Sequence, residues 1–150
     1  MTEKKKISVV LFQLGGPDTP EAVEPFLYNL FCDPDIIDFF GAWFARRLLA
    51  RYIARNRADV VREHYNAIGG QSPIRVLTER QARALEKALA PHFDARCFTA
   101  MRYWNPLTAE TAAQVNAMGA GELVLLPMYP QYSFATTSSS LKEWNKVFRP

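Results

Sequence analysis

The stretch Ile7-Ser8-Val9-Val10-Leu11-Phe12-Gln13-Leu14, followed at once by Gly15-Gly16-Pro17-Asp18, decides the fold. Its residues are mostly Val, Leu, Ile and Phe without polar alternation, as in a parallel strand buried on both faces, and a Gly-Gly-Pro turn stops it. Lys4, Lys5 and Lys6 ahead of this run imitate a secretory signal. The apolar run is short, is interrupted by Ser8 and Gln13, and leads into a turn rather than a small-residue cleavage site, so the reading is a first strand.

The segments beyond it alternate. Asp18 with Glu21 resembles a capping box, and Pro20 suits a first helical turn, which predicts a helix from about Pro20 to Phe31. Residues 36–57 read as helix, in one piece or two, and residues 58–68 as another helical stretch, ended by Gly69-Gly70. Thr78 with Gln81 caps a helix running to about Ala90. Ala95–Met101 reads as a strand, Thr108 caps a helix ending near Gly119, Glu122–Met128 is a third strand, and Ser138–Phe148 is a last helix. Strands alternating with helices predict an α/β domain whose Rossmann-like parallel sheet is flanked by helices. The helical material between the first two strands, about residues 33–77, exceeds a simple crossover, and an insertion of that size commonly covers a ligand site.

Composition narrows the function. Of 150 residues 49% are hydrophobic and 22% charged, which excludes a disordered chain. The apolar runs fall well short of the roughly 20 residues that span a bilayer. Only Cys32 and Cys97 are available, too few for a disulfide scaffold or a four-thiolate metal site, and a reducing, cytosolic setting is expected. A net charge of +3 is too small to argue for nucleic acid.

Ligands of open α/β sheets sit at the carboxyl ends of the strands. Those ends read Leu14-Gly15-Gly16-Pro17, Arg102-Tyr103-Trp104-Asn105-Pro106 and Tyr129-Pro130-Gln131-Tyr132-Ser133. The first lacks the spacing of a dinucleotide fingerprint or a P-loop. The other two are rich in rings and one carries an arginine, which suits a large flat apolar ligand; packing beneath the loops is the alternative for any single ring. Between the strands, Arg47, Arg51 and Arg55 form one helical stripe, with Phe44, Leu48 and Tyr52 beside it. Three readings fit this segment. It is a core helix with snorkelling arginines, a lip whose arginines meet ligand carboxylates, or a patch resting on anionic lipid. His64 and His92 lie outside any metal-ligand spacing. The hydroxyls of Thr136 to Ser140 precede the last helix, where capping and anion binding explain them equally well.

The motifs Leu14-Gly15-Gly16-Pro17-Asp18-Thr19, Phe26-Leu27-Tyr28-Asn29-Leu30-Phe31, Tyr65-Asn66-Ala67-Ile68-Gly69-Gly70-Gln71-Ser72-Pro73, Met101-Arg102-Tyr103 and Tyr129-Pro130-Gln131-Tyr132-Ser133 stand in this order. Each is weak by itself. Together they resemble the N-terminal half of the ferrochelatase family, which inserts ferrous iron into a porphyrin to make haem. The resemblance runs from Val9 to Leu141. It implies the first of two similar α/β domains facing across a cleft, with the helical insertion as the lip of the porphyrin pocket and a peripheral contact with the membrane through that lip.

The positions matching the family's porphyrin contacts are Leu14, Leu27, Leu30, Ile36, Arg57, Tyr65, Ser72, Arg102, Tyr103 and Tyr129. The resemblance implies that Leu27, Leu30 and Ile36 exclude water from the macrocycle, that Arg57 holds propionates with help from Ser72 and Tyr65, and that Arg102 and Tyr103 orient the ring or the metal path. It also implies that the base removing the pyrrole protons, a histidine with an acidic partner, lies beyond Pro150 in a second domain; on that expectation this chain holds no catalytic or metal-binding residue. Ferrous iron is then substrate, and no resident cofactor is expected. Asn105 stands where the family often has His. Phe134 stands where iron–sulfur relatives have Cys, so no cluster is expected, and Leu14 favours protoporphyrin over coproporphyrin. A domain that binds porphyrin or haem without turnover is the alternative.

Overall fold

The computed structural model describes residues 4–37, 42–119 and 121–149, apart from the side chains of 42–44. In chain order its elements are β1 (Lys5–Gln13), α1 (Val23–Cys32), α2 (Ala42–Asn66), α3 (Ile74–Leu89), β2 (Phe93–Met101), α4 (Thr108–Ala117), β3 (Glu122–Pro127), a π-helical turn (Phe134–Ser138) and α5 (Ser139–Val147). They form two compact units, one from Met1–Leu14 with Ile74–Pro150 and one from Gly15–Pro73.

The first unit holds a parallel sheet in the order β2-β1-β3. Ile7 to Phe12 are buried, as the unbroken apolar run of β1 requires of a central strand. Alternate residues serve opposite faces. Ile7, Val9 and Leu11 pack with Ala82, Leu85 and Leu89 of α3. Val10 and Phe12 pack with Ala112 and Val115 of α4 and Trp144 of α5. The Trp144 ring meets Phe12 edge-on at 5.7 Å and stacks on Phe148 at 4.9 Å. β2 is an edge strand, and Glu86 of α3 accepts the Cys97 backbone N–H at 2.9 Å. Gly121, entering β3, has no room for a side chain, since a Cβ there would lie 2.7 Å from the Lys6 carbonyl oxygen.

Several predicted helix starts are corrected. The first helix begins at Val23, because Thr19 rather than Asp18 takes the Ala22 N–H on its hydroxyl. Thr78 is not a cap; it lies inside α3, and its hydroxyl donates back to the Ile74 carbonyl at 2.7 Å. Thr108 is the first residue of α4, not its cap, and Glu110 accepts the Leu107 N–H at 3.0 Å.

The second unit is helical. α2 runs unbroken through the boundary drawn at residue 57, and Ile36 lies before it in a turn closed on the Asp33 carbonyl. Among its described side chains the buried ones are Ala50, Ala54 and Ala58, four apart, and it packs against α1, which buries Val23, Phe26, Leu27 and Phe31. Leu48 and Tyr52 point outward, 73% and 68% exposed. The predicted aromatic stripe also included Phe44, whose side chain lies outside the described residues. Among the described residues, no helix is long and apolar enough to cross a membrane.

Candidate functional site

Four of the residues singled out from the sequence lie in the sheet unit, at the carboxyl ends of its strands: Leu14, Arg102, Tyr103 and Tyr129. β1 and β2 stay paired past their last ladder residues. The Arg102 N–H donates to the Gln13 carbonyl at 2.9 Å, and the Tyr103 N–H to the Leu14 carbonyl at 3.0 Å. The chain then returns through a cis Asn105–Pro106 bond, and the Met101 N–H donates to the Pro106 carbonyl at 2.8 Å. On the other side of β1, the Met128 N–H donates to the Phe12 carbonyl at 3.0 Å. Because β2 and β3 flank β1 on opposite sides, this is where an open parallel sheet forms a ligand crevice.

The side chains converge on the start of α5. Arg102 donates through Nε to Ser139 Oγ at 2.7 Å, and its guanidinium carbon lies 4.9 Å from the Tyr103 ring centre. Tyr103 is buried, with its hydroxyl 3.4 Å from the same serine oxygen. The Tyr129 hydroxyl lies 2.8 Å from Ser140 Oγ. Burial raises the Tyr129 pKa above the ordinary phenol value, while the Ser140 hydrogen bond and the Arg102 charge pull it down. The phenol is therefore neutral at physiological pH.

The other six belong to the helical unit. Leu27 is buried, and Leu30 and Ile36 are half-buried. Arg57 is exposed, its guanidinium 5.8 Å from the Phe31 ring centre. Tyr65 and Ser72 are joined by a side-chain hydrogen bond across the turn made by Gly69 and Gly70. That turn has positive φ at both glycines, and the Gly70 N–H donates to the Tyr65 carbonyl at 2.8 Å. The Ser72 N–H donates to the Pro17 carbonyl at 2.7 Å. Burial is the largest cause of a raised Tyr65 pKa, which the Ser72 bond partly offsets.

Sequence reading singled out Ser139 and Ser140 but placed them ahead of the last helix, as caps or anion ligands. Both are inside the helix and buried, and the preceding Ser138 makes no side-chain cap. It missed a groove of about 600 Å³ in the helical unit, lined by Pro20, Glu21, Glu24, Pro25, Tyr28, Arg51, Ala54 and Arg62. None of the ten positions matched to porphyrin contacts lines that groove, though Arg51 of the arginine stripe does. Arg51 stands 6.0 Å from the Tyr28 ring centre there, so one member of the arginine stripe is engaged with α1.

The sequence model of the Ferrochelatase family matches residues 6–150. The chain belongs to the ferrochelatase family. It is 53% identical over 148 residues to the ferrochelatase of Caulobacter vibrioides (strain NA1000 / CB15N), covering 97% of this chain and 42% of that protein. It is 50% identical over 143 residues to the ferrochelatase of Geotalea uraniireducens (strain Rf4), covering 95% of this chain and 44% of that protein. With Ferrochelatase-2, chloroplastic, of Cucumis sativus it shares 47% identity over 146 residues, covering 96% of this chain and 28% of that protein. The chain thus spans less than half the length of these ferrochelatases. The α/β fold and parallel sheet expected from the sequence agree with the observed architecture.

Proposed function

We propose that the native protein inserts Fe²⁺ into protoporphyrin IX to form haem, and that this chain supplies one wall of the porphyrin pocket. The observation that carries the reading is the family match over residues 6–150 together with Arg102, Tyr103 and Tyr129 at the strand ends. The reaction replaces two pyrrole N–H protons with Fe²⁺, so it needs a base, and the reading places that base in a second domain. In this chain Leu14, Leu27, Leu30 and Ile36 keep water from the macrocycle. Arg57, Tyr65 and Ser72 hold propionate through charge-assisted and hydroxyl hydrogen bonds. Arg102, Tyr103 and Tyr129 fix the orientation of the ring. Iron is substrate in this scheme, and Phe134 in place of a cysteine supports a protein without an iron–sulfur cluster.

The same reading places the protein in the cytoplasm as a peripheral membrane protein. Support comes from Leu48 and Tyr52, exposed beside Arg47, Arg51 and Arg55, where apolar groups meet lipid and cations meet its phosphates. Vesicles containing anionic lipid are expected to retain the native protein, and Leu48→Ser with Tyr52→Ser to release it. Equal retention of the double variant contradicts the membrane contact.

The activity is tested by anaerobic incubation of the native protein with Fe²⁺ and protoporphyrin. Haem formation is expected. Absence of metallation contradicts the reading, and a Soret shift without metallation selects porphyrin binding without turnover instead.

A further inference from the structure

We propose that Ser139 and Ser140, the first two residues of α5, are positioning residues for the porphyrin, Ser139 acting through Arg102 and Ser140 through Tyr129. The inference rests on the porphyrin reading above and assigns the site residues that set the attitude of the arginine and the phenol.

Both serines are essentially inaccessible, at 0% and 1% exposure. A serine at the start of a helix ordinarily caps it, but neither does so here, and the N-cap position is Ser138. The π-helical turn before α5, Phe134–Ser138, closes without either serine hydroxyl: the Ser138 N–H donates to the Ser133 carbonyl at 3.1 Å, the Ser139 backbone N–H to the Phe134 carbonyl, and the Ser133 and Thr136 hydroxyls meet at 2.6 Å. A buried hydroxyl is costly unless it is hydrogen-bonded, so what these two bond to is what explains them. Ser139 Oγ takes the Arg102 Nε–H at 2.7 Å, and Ser140 Oγ meets the Tyr129 hydroxyl at 2.8 Å.

The geometry at Arg102 is specific. Its guanidinium is gripped at Nε by Ser139 and flanked by the Tyr103 ring at 4.9 Å, whose own hydroxyl is 3.4 Å from the same Oγ. An arginine held at Nε and against one ring has its last torsions fixed, which sets the plane it offers to an anionic or π-rich ligand. Tyr129 is aimed in the same way. The anchor is rigid, because α5 is locked into the sheet core by Trp144 against Phe12 and Phe148. Two adjacent serines on one helical turn thus tie Arg102, just past β2, and Tyr129, two residues past β3, to a single support.

The test is a pair of double-mutant cycles on the native protein, reading porphyrin affinity by Soret titration and folding by thermal melt. Ser139→Ala and Arg102→Ala are each expected to weaken porphyrin binding about tenfold or more, with the double variant no weaker than Arg102→Ala. Ser140→Ala and Tyr129→Phe are expected to couple in the same way, and this cycle decides the matter if Ser139→Ala does not fold. Additive losses, or undiminished affinity in folded Ser139→Ala and Ser140→Ala, overturn the inference alone. A wild-type protein without any Soret response overturns the porphyrin reading and this inference with it.

Discussion

The two units bury their chains in different ways. The sheet unit is filled by large side chains: Trp144, Phe12, Met101 and Leu11 are all under 2% exposed. The helical unit uses small ones on its long helix, where Ala50, Ala54 and Ala58 are the buried line and Leu48 and Tyr52 are turned outward. In the core of the first unit the largest side chains are among the most buried. On α2 the order runs the other way, and that inversion leaves apolar groups beside arginines on a surface.

Perturbing each unit in its own currency sharpens this contrast. Trp144→Ala should have the largest effect, since it empties a site packed on both sides of the indole. A loss of about 3–5 kcal/mol is expected in denaturant unfolding. On α2 the sensitive change is the reverse. Ala58→Leu inserts volume at a position only 1% exposed and should cost roughly 1–3 kcal/mol, with amide exchange accelerating in α1 and α2 while β1 keeps its protection. If Ala58→Leu were neutral and Leu48→Ala destabilising, the inverted burial of α2 would be wrong. Gly121→Ala should cost about 1–2 kcal/mol, because its Cβ would collide with the Lys6 backbone.

The smallest effect is electrostatic. Burial, with Glu86 nearby, raises the Cys97 thiol from 9.0 to about 11. The unfolded chain then gives up its proton first as pH rises, so this contribution to stability is present below pH 9 and lost between pH 9 and 11. Cys97→Ala should flatten part of that alkaline decline in a pH series of melting temperatures, and an unaltered slope would contradict it.

How much was legible follows from the same contrast. β1 could be read because a strand covered on both faces has to be apolar at nearly every position, and Ile7 to Phe12 are. α2 could not be read as one helix. Its buried alanines weigh little on any hydrophobic scale, while Leu48, Tyr52 and Ile53 blur the period. The strand-end residues Arg102, Tyr103 and Tyr129 were legible because topology places them at ligand-binding ends whatever the packing. Their supports, Ser139 and Ser140, were not. A serine that caps, binds an anion or braces an arginine looks the same in sequence, and only a buried Oγ at 2.7 Å from Arg102 Nε separates these roles. Thr78 illustrates the same ambiguity, reading as a cap while lying inside α3.

On the proposed function, porphyrin meets this chain at the carboxyl ends of its parallel strands. Hydrogen exchange of the native protein with and without bound protoporphyrin tests it most directly. Slowed exchange is predicted in residues 13–17, 101–105 and 128–133, with residues 5–8 and 93–96 at the opposite end of the sheet unchanged. Protection confined to that opposite end, or absent from all three strand ends while porphyrin is bound, would contradict it.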